Sequence, residues 1–209
     1  MLLDERTVAP TDQADYVAEI KYDGYRVLAL FGDGSCRLRT RNGTDCTAWF
    51  PEVAEALGGL KGGPTIVDGE VSMLDEIGRS DFDALQARAR RRSLPAGAPP
   101  VTYCVFDLLQ FKGRPVMSEP LRKRKAKLAK LLAHQLDHVL YVQHLDGSEV
   151  TNPLSWLYTH ALELKLEGIV GKRADSVYEP GVRSPNWFKL KRPGAVPPER
   201  FQRSKREPR

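Results

Sequence analysis

The run Glu19-Ile-Lys-Tyr-Asp-Gly-Tyr-Arg26 sets a lysine directly before an Asp-Gly turn, with an arginine five residues beyond it. A lysine at a strand end can act as a nucleophile toward phosphorus when nearby cations favour its free amine. Trp187-Phe-Lys-Leu-Lys191 carries two such cations: on a strand, Lys189 and Lys191 point to the same face. Taken singly, each fragment has a plainer reading, a structural lysine ahead of a turn and a solvated strand edge. Two further groupings invite chemistry less well. His134-Gln-Leu-Asp-His138 spaces two imidazoles at i and i+4, but it lacks the glutamate of a zinc-hydrolase motif and any third ligand, so both read as structural. Arg122-Lys-Arg-Lys125 with Lys127 and Lys130 makes a basic helix that reads first as a solvated face and second as a contact to DNA phosphates.

These residues need a scaffold, and the patterning supplies one. Residues 15–20 predict a short strand leading into Lys21. Residues 25–31 and 35–41 are β-prone and flank Gly32-Asp33-Gly34, which predicts a hairpin. A short helix is expected over 50–60, stopped by Gly58, Gly59, Gly62 and Gly63, and strands over 65–74 and 101–109. Residues 81–92 predict a helix with Phe82, Leu85 and Ala89 on one face and arginines at its C-terminal end, where cations suit the helix dipole. Ser118-Glu119-Pro120 predicts a capped helix start running to 132. Beyond it come a strand at 141–144, a helix at 153–164, and strands at 168–172 and 187–191. Strands and helices mixed irregularly, with no repeat, predict an α+β fold with largely antiparallel sheets. From Pro193 the composition turns to Pro, Arg, Lys and Glu, so residues 1–192 read as the folded body and 193–209 as a basic tail or linker.

Composition narrows the class. A chain of 209 residues, 41% apolar and 28% charged, has room for one or two domains and excludes collagen, disorder and a disulfide framework. Cys36, Cys46 and Cys104 are odd in number and far apart, which fits reduced thiols rather than a disulfide set or a Cys-x-x-Cys zinc site. No run of about 18 apolar residues occurs and the first residues form no secretion signal, so the expectation is a cytoplasmic protein, nucleoid-associated if bacterial, with no membrane partner. The 32 Lys and Arg against 27 Asp and Glu give +5, a modest tilt toward polyanions.

The lysine run is the first of six motifs in order. Thr40-Arg-Asn-Gly43, Asp68-Gly-Glu70, Val105-Phe-Asp107, Glu167-Gly-Ile-Val-Gly-Lys172 and Trp187-Phe-Lys-Leu-Lys191 follow it. Together they resemble the nucleotidyltransferase motifs of the ATP-dependent DNA ligases, most of all the ligase domains of bacterial end-joining ligases, through the Lys21 run and Tyr178-Glu-Pro-Gly-Val-Arg-Ser-Pro-Asn-Trp187. The resemblance implies the adenylation-domain fold, ATP-grasp-like, with twisted antiparallel sheets flanked by helices. It also implies a chemistry. The Lys21 amine attacks the α-phosphorus of ATP and expels pyrophosphate, a DNA 5′-phosphate takes the AMP, and the adjoining 3′-hydroxyl displaces it. Such in-line displacements between anions depend on alignment and on positive charge.

Carried onto this sequence, the resemblance makes Lys21, Lys189 and Lys191 catalytic. Glu70 would accept from the ribose hydroxyls and Phe106 would stack on adenine. Arg26 and Arg41 would grip phosphate, with Lys172 adding to that cluster. Glu19 lies in an adenine-facing stretch, as either a base contact or a structural residue. Glu167, with Asp23 through water, would face Mg²⁺ or Mn²⁺. The implied partner is nicked or broken duplex DNA, met by a monomer. Complete ligases of this kind add an oligonucleotide-binding barrel after the second lysine motif. The 18 residues following Lys191 are too few for one, so the chain reads as an isolated adenylation domain, weak in sealing nicks unless an OB-fold domain or other repair protein joins it. The alternatives are an RNA-ligase or capping-type nucleotidyltransferase and a noncatalytic DNA-end binding module.

Overall fold

In a computed structural model describing residues 1–94 and 96–195, the chain alternates strands and helices in an irregular order. The elements are β1 (Leu2–Arg6), β2 (Tyr16–Ile20), β3 (Tyr25–Asp33), β4 (Cys36–Thr40), α1 (Pro51–Gly58), β5 (Lys61–Ser72), α2 (Phe82–Ala89), β6 (Thr102–Phe111), β7 (Arg114–Pro115), α3 (Leu121–Leu131), β8 (Val139–Tyr141), β9 (His144–Leu145), α4 (Pro153–Glu163), β10 (Gly168–Arg173) and β11 (Arg183–Lys191). They form two sheets. The first runs β1-β11-β10-β2-β9, and the second β4-β3-β5-β6-β7 with β8 added beside β6. The α+β expectation holds, and most pairs are antiparallel. Two are parallel, β1 with β11 and β6 with β8.

Period-two alternation decides what each sheet face does. On β2, Tyr16 and Ala18 pack with Leu154 and Ala161 of α4, while Val17 faces the other way into a core shared by both sheets. On β11, Phe188 and Leu190 join the α4 side and Trp187 joins the shared core. Gly171 of β10 lies on the α4 side, where an added Cβ would sit 2.3 Å from the Phe188 ring and 2.8 Å from Leu154. The second sheet buries its opposite face against α1, α2 and α3 through Val27, Ala29, Leu38, Phe50, Leu57, Leu85 and Leu128.

Several sequence expectations are corrected. Ahead of the strand expected at 15–20, residues for which no element was expected form β1, whose partner β11 lies at the far end of the described chain. Gly62 and Gly63 do not stop a helix but belong to β5, where Gly32 packs so closely on Gly63 that a Cβ would fall 2.0 Å from its carbonyl oxygen. Helix α3 begins after Pro120 without a side-chain cap. Its first free N–H groups, of Leu121 and Arg122, donate to the carbonyls of Ser176 and Ala174. Residues 134–138 are not helical, so the two histidines do not share a helix face. Among the described residues no group of three metal-type ligands forms. Of the expected tail, residues 196–209 lie outside the described residues. Among the described residues no helix is long and apolar enough to cross a membrane.

Candidate active site

The same alternation that sends Ala18, Phe188 and Leu190 to α4 turns Glu19, Lys172, Lys189 and Lys191 toward the second sheet. Between the sheets opens a cleft of about 450 Å³, lined by Glu19, Lys21, Asp23, Arg26, Arg41, Glu70, Phe106, Glu167, Lys172, Lys189 and Lys191. All eleven residues given a site role by the resemblance therefore meet at one cavity, drawn from β2, β3, β5, β6, β10, β11 and the loops beside them.

At one end the cations are held by acids. The Lys21 ammonium donates to Glu167 Oε2 at 2.6 Å, and Lys191 Nζ stands 3.9 Å from Glu167 Oε1. Lys189 Nζ lies 3.0 Å from Glu5 Oε2, a residue of β1 that the sequence did not single out. Beside the nearby cations that the sequence offered, Lys21 has a carboxylate as its contact partner. Burial raises the Glu167 carboxyl above its ordinary range against the pull of Lys21, and Asp23 adds to the rise. Glu70, half-buried, is pushed up to about 8 by loss of water, with Lys21 and Arg26 opposing. The turn after Lys21 is clamped. The Asp23 N–H donates to Ser80 Oγ at 3.0 Å and its carbonyl accepts from Ser72 Oγ at 3.1 Å. Gly24 presses on β5, where a Cβ would come 2.0 Å from Val71 O, so glycine at position 24 is a steric requirement.

The other end is dry. Opposite Asp68 and Gly69 of β5 stand Asp107 and Val105 of β6, leaving Phe106 as the extra residue of a β-bulge. Bulges re-aim side chains, and this one turns Phe106 into the cleft although its run reads as a buried strand. Glu19 is 2% exposed, with Lys125 Nζ 2.6 Å from Oε1 and Lys172 Nζ 2.5 Å from Oε2. Desolvation works to raise the Glu19 carboxyl, but the two lysines outweigh it and hold the group low. Lys172 sits over the rings of Phe106 and Trp187, 4.5 and 4.3 Å from their centroids, and burial lowers its pKa. Arg26 is heavily engaged: its fork donates to Asp68 Oδ1 at 3.1 Å and Oδ2 at 2.6 Å, and it also bonds Met1 O and Tyr178 Oη.

The basic helix is corrected in part, since Arg122, Lys123 and Lys130 are exposed as a solvated face requires. Arg124 and Lys125 are buried, and they face the sheets rather than water or DNA. Arg124 forms a bidentate pair with Asp107 at 2.8 and 2.9 Å. Asp68, Asp107 and Tyr178 lay inside quoted motifs without an assigned part. Lys125 was read only as part of the basic run, and Glu5, Ser72 and Ser80 carried no signal beyond their type.

Residues 5–191 match the family model for the ATP dependent DNA ligase domain. The multifunctional non-homologous end joining protein LigD of Pseudomonas aeruginosa is 36% identical over 179 residues, 86% of this chain and 20% of the relative. The SPbeta prophage-derived DNA ligase-like protein LigB of Bacillus subtilis is 34% identical over 183 residues, 87% of this chain and 63% of the relative. Among solved structures, the ligase domain from M. tuberculosis LigD aligns with a TM-score of 0.75 at 30% identity, covering 91% of this chain and 58% of that one. The chain spans less than two thirds of the length of each of these proteins.

Proposed function

The chain belongs to the ATP dependent DNA ligase domain family, and from that premise we propose that residues 1–192 are an adenylation unit that loads AMP onto Lys21 and passes it to a DNA 5′-phosphate. The observation that carries this reading is the meeting of Lys21, Lys189 and Lys191 with Glu70 and Phe106 around one cleft. In the first step the Lys21 nitrogen forms a bond to the α-phosphorus, the bond to pyrophosphate breaks, and the amine gives up its proton to water. Lys189 and Lys191 then offset negative charge on the α-phosphate. Glu70 accepts from the ribose, Phe106 stacks on the base, and Arg41 takes phosphate at the cleft mouth. Arg26, pinned by Asp68, acts as a fixed edge of the phosphate site.

Glu167 and Asp23 fit a hard divalent cation such as Mg²⁺ or Mn²⁺. Both are carboxylates, and they stand near enough for one charge to raise the other's pKa. Bound there, such an ion supplies charge neutralisation on phosphate oxygens. Glu167 must also release the Lys21 ammonium before the amine can react. In the wider reaction, strand-break joining in end-joining repair, the unit works on nicked or broken duplex DNA in the compartment that holds ATP and the chromosome.

The test is a chase. Protein labelled from α-labelled ATP is mixed with duplex DNA bearing a 5′-phosphorylated nick, and label is expected to move from protein to DNA. Labelling from GTP alone points to the capping class, and preferential transfer to nicked RNA points to RNA ligation. Salt-sensitive DNA binding with no label points to a binding module.

A further inference from the structure

A second cavity, of about 550 Å³, adjoins the cleft and shares Arg26, Arg41 and Glu70 with it. Beyond that common wall it is framed by Tyr25, Thr40, Asn42, Thr44 and Trp49, none of which the adenylation reading uses. Its two aromatic groups are held in place. Trp49 ends a short 3₁₀ turn, Thr47–Trp49, that is tied to β4 where the Leu38 N–H donates to Thr47 Oγ at 2.9 Å. The indole packs edge-on against the fully buried Phe50, and Tyr25 packs edge-on against Phe82. The polar side chains of Arg41, Asn42 and Thr44 and the Trp49 indole N–H have no hydrogen-bond partner among the described residues. Uncommitted polar groups converging beside aromatic walls are the make-up of a ligand site. Charge narrows the ligand. Strand pairing sets Arg41 beside Arg26, and alternation puts Arg39 and Arg37 on that same face of β4, the edge strand of its sheet. All three arginines are exposed and none forms an ion pair among the described residues, while the neighbouring Asp33 and Asp45 carboxylates accept from Ser35 and Thr47. A row of free cations leading out of a cavity suits a chain of phosphates.

We propose that the second cavity receives the terminal nucleoside of the DNA strand whose 5′-phosphate takes the AMP, its base against Trp49 and its following phosphates along Arg39 and Arg37. The inference rests on the adenylation reading and extends it. In the transfer step an oxygen of the 5′-phosphate bonds to the α-phosphorus, the phosphorus–nitrogen bond to Lys21 breaks, and the amine takes a proton from water. AMP fills the first cleft throughout, so the nucleoside behind the incoming phosphate needs a place of its own. With the phosphate at the shared wall of Arg26 and Arg41, the adjoining cavity is that place. An aromatic wall serves any sequence, because every base has a π-face.

The experiment follows a single turnover of AMP from preloaded protein to two nicked duplexes, one intact and one whose 5′-phosphorylated terminal nucleotide lacks its base. In the wild type, loss of the base is expected to slow transfer roughly tenfold or more. Trp49→Leu, which keeps apolar bulk but no ring, should slow transfer to the intact nick by a similar factor and treat the two duplexes alike, while loading from ATP stays within a few-fold of wild type. Trp49→Phe should recover most of the preference. Equal wild-type rates on the two duplexes, or a folded Trp49→Leu that still tells them apart, overturns the proposal and leaves adenylation intact. So does an adduct that passes to neither duplex. The wild-type comparison needs no variant, so it decides the matter even if Trp49→Leu fails to fold. No adduct from ATP overturns the adenylation reading and this proposal together.

Discussion

At the Lys21 end of the cleft one cation meets a carboxylate within reach of water: the Lys189 side chain is 21% exposed and its partner Glu5 60%, while the Glu167 that holds Lys21 is 7% exposed. At the Phe106 end Lys125, Lys172 and Glu19 are all but sealed. The contrast separates two uses of the same residue types. Exposed pairs cost little to break, so an anionic substrate can take over the cations they hold. A buried pair loses several kcal/mol when one partner is removed, because the survivor keeps an uncompensated charge. The first arrangement suits phosphates that arrive and leave, and the second a wall that must hold its shape.

The difference can be broken in four places. Glu19→Ala strands two buried lysines and is expected to lower stability by about 3–5 kcal/mol in denaturant unfolding; a loss under 1 kcal/mol would mean that the cluster is not sealed. Lys189→Met, at the open end, is expected to slow adenylation by roughly 10²–10³-fold, as removal of a charge-stabilising group does elsewhere, with little change in unfolding midpoint. Glu70 should tie stability to pH. Its carboxyl keeps a proton in the folded protein up to about 8 but ionises near the ordinary 4.5 when unfolded. Across that window the unfolded state therefore binds fewer protons, and this group's contribution to stability falls as pH rises, then levels above about 8. Glu70→Gln should flatten that window, read from unfolding at several pH values. Smallest is Glu5→Gln, expected to change stability by less than about 1 kcal/mol in the same assay; a larger loss would place the Lys189 pair with the sealed group.

The sequence made the open end easier to read than the sealed one. Lys189 and Lys191 fall on one face by strand alternation alone, and Gly32-Asp33-Gly34 marked the hairpin that precedes Arg41. Local patterns of this kind need no knowledge of distant partners. Arg124 and Lys125 needed it: their partners Asp107 and Glu19 lie 17 and 106 residues away, so four consecutive basic residues read as a wet helix face. Phe106 was assigned to the cleft through the ligase resemblance, while its apolar run spoke for the core. The bulge that turns it depends on the pairing of β6 with Gly69, where a Cβ would strike the Tyr103 ring at 2.6 Å. Strand β1 escaped notice because Leu2-Leu-Asp-Glu-Arg6 shows no alternation and pairs with a strand at the other end of the described chain.

The most direct measurement is mass mapping of the protein after incubation with ATP and Mg²⁺. Digestion and fragment sequencing should find one adenylate on Lys21 in the wild type and none in Lys21→Ala. An adenylate on another residue, or one that persists in Lys21→Ala, would contradict the account.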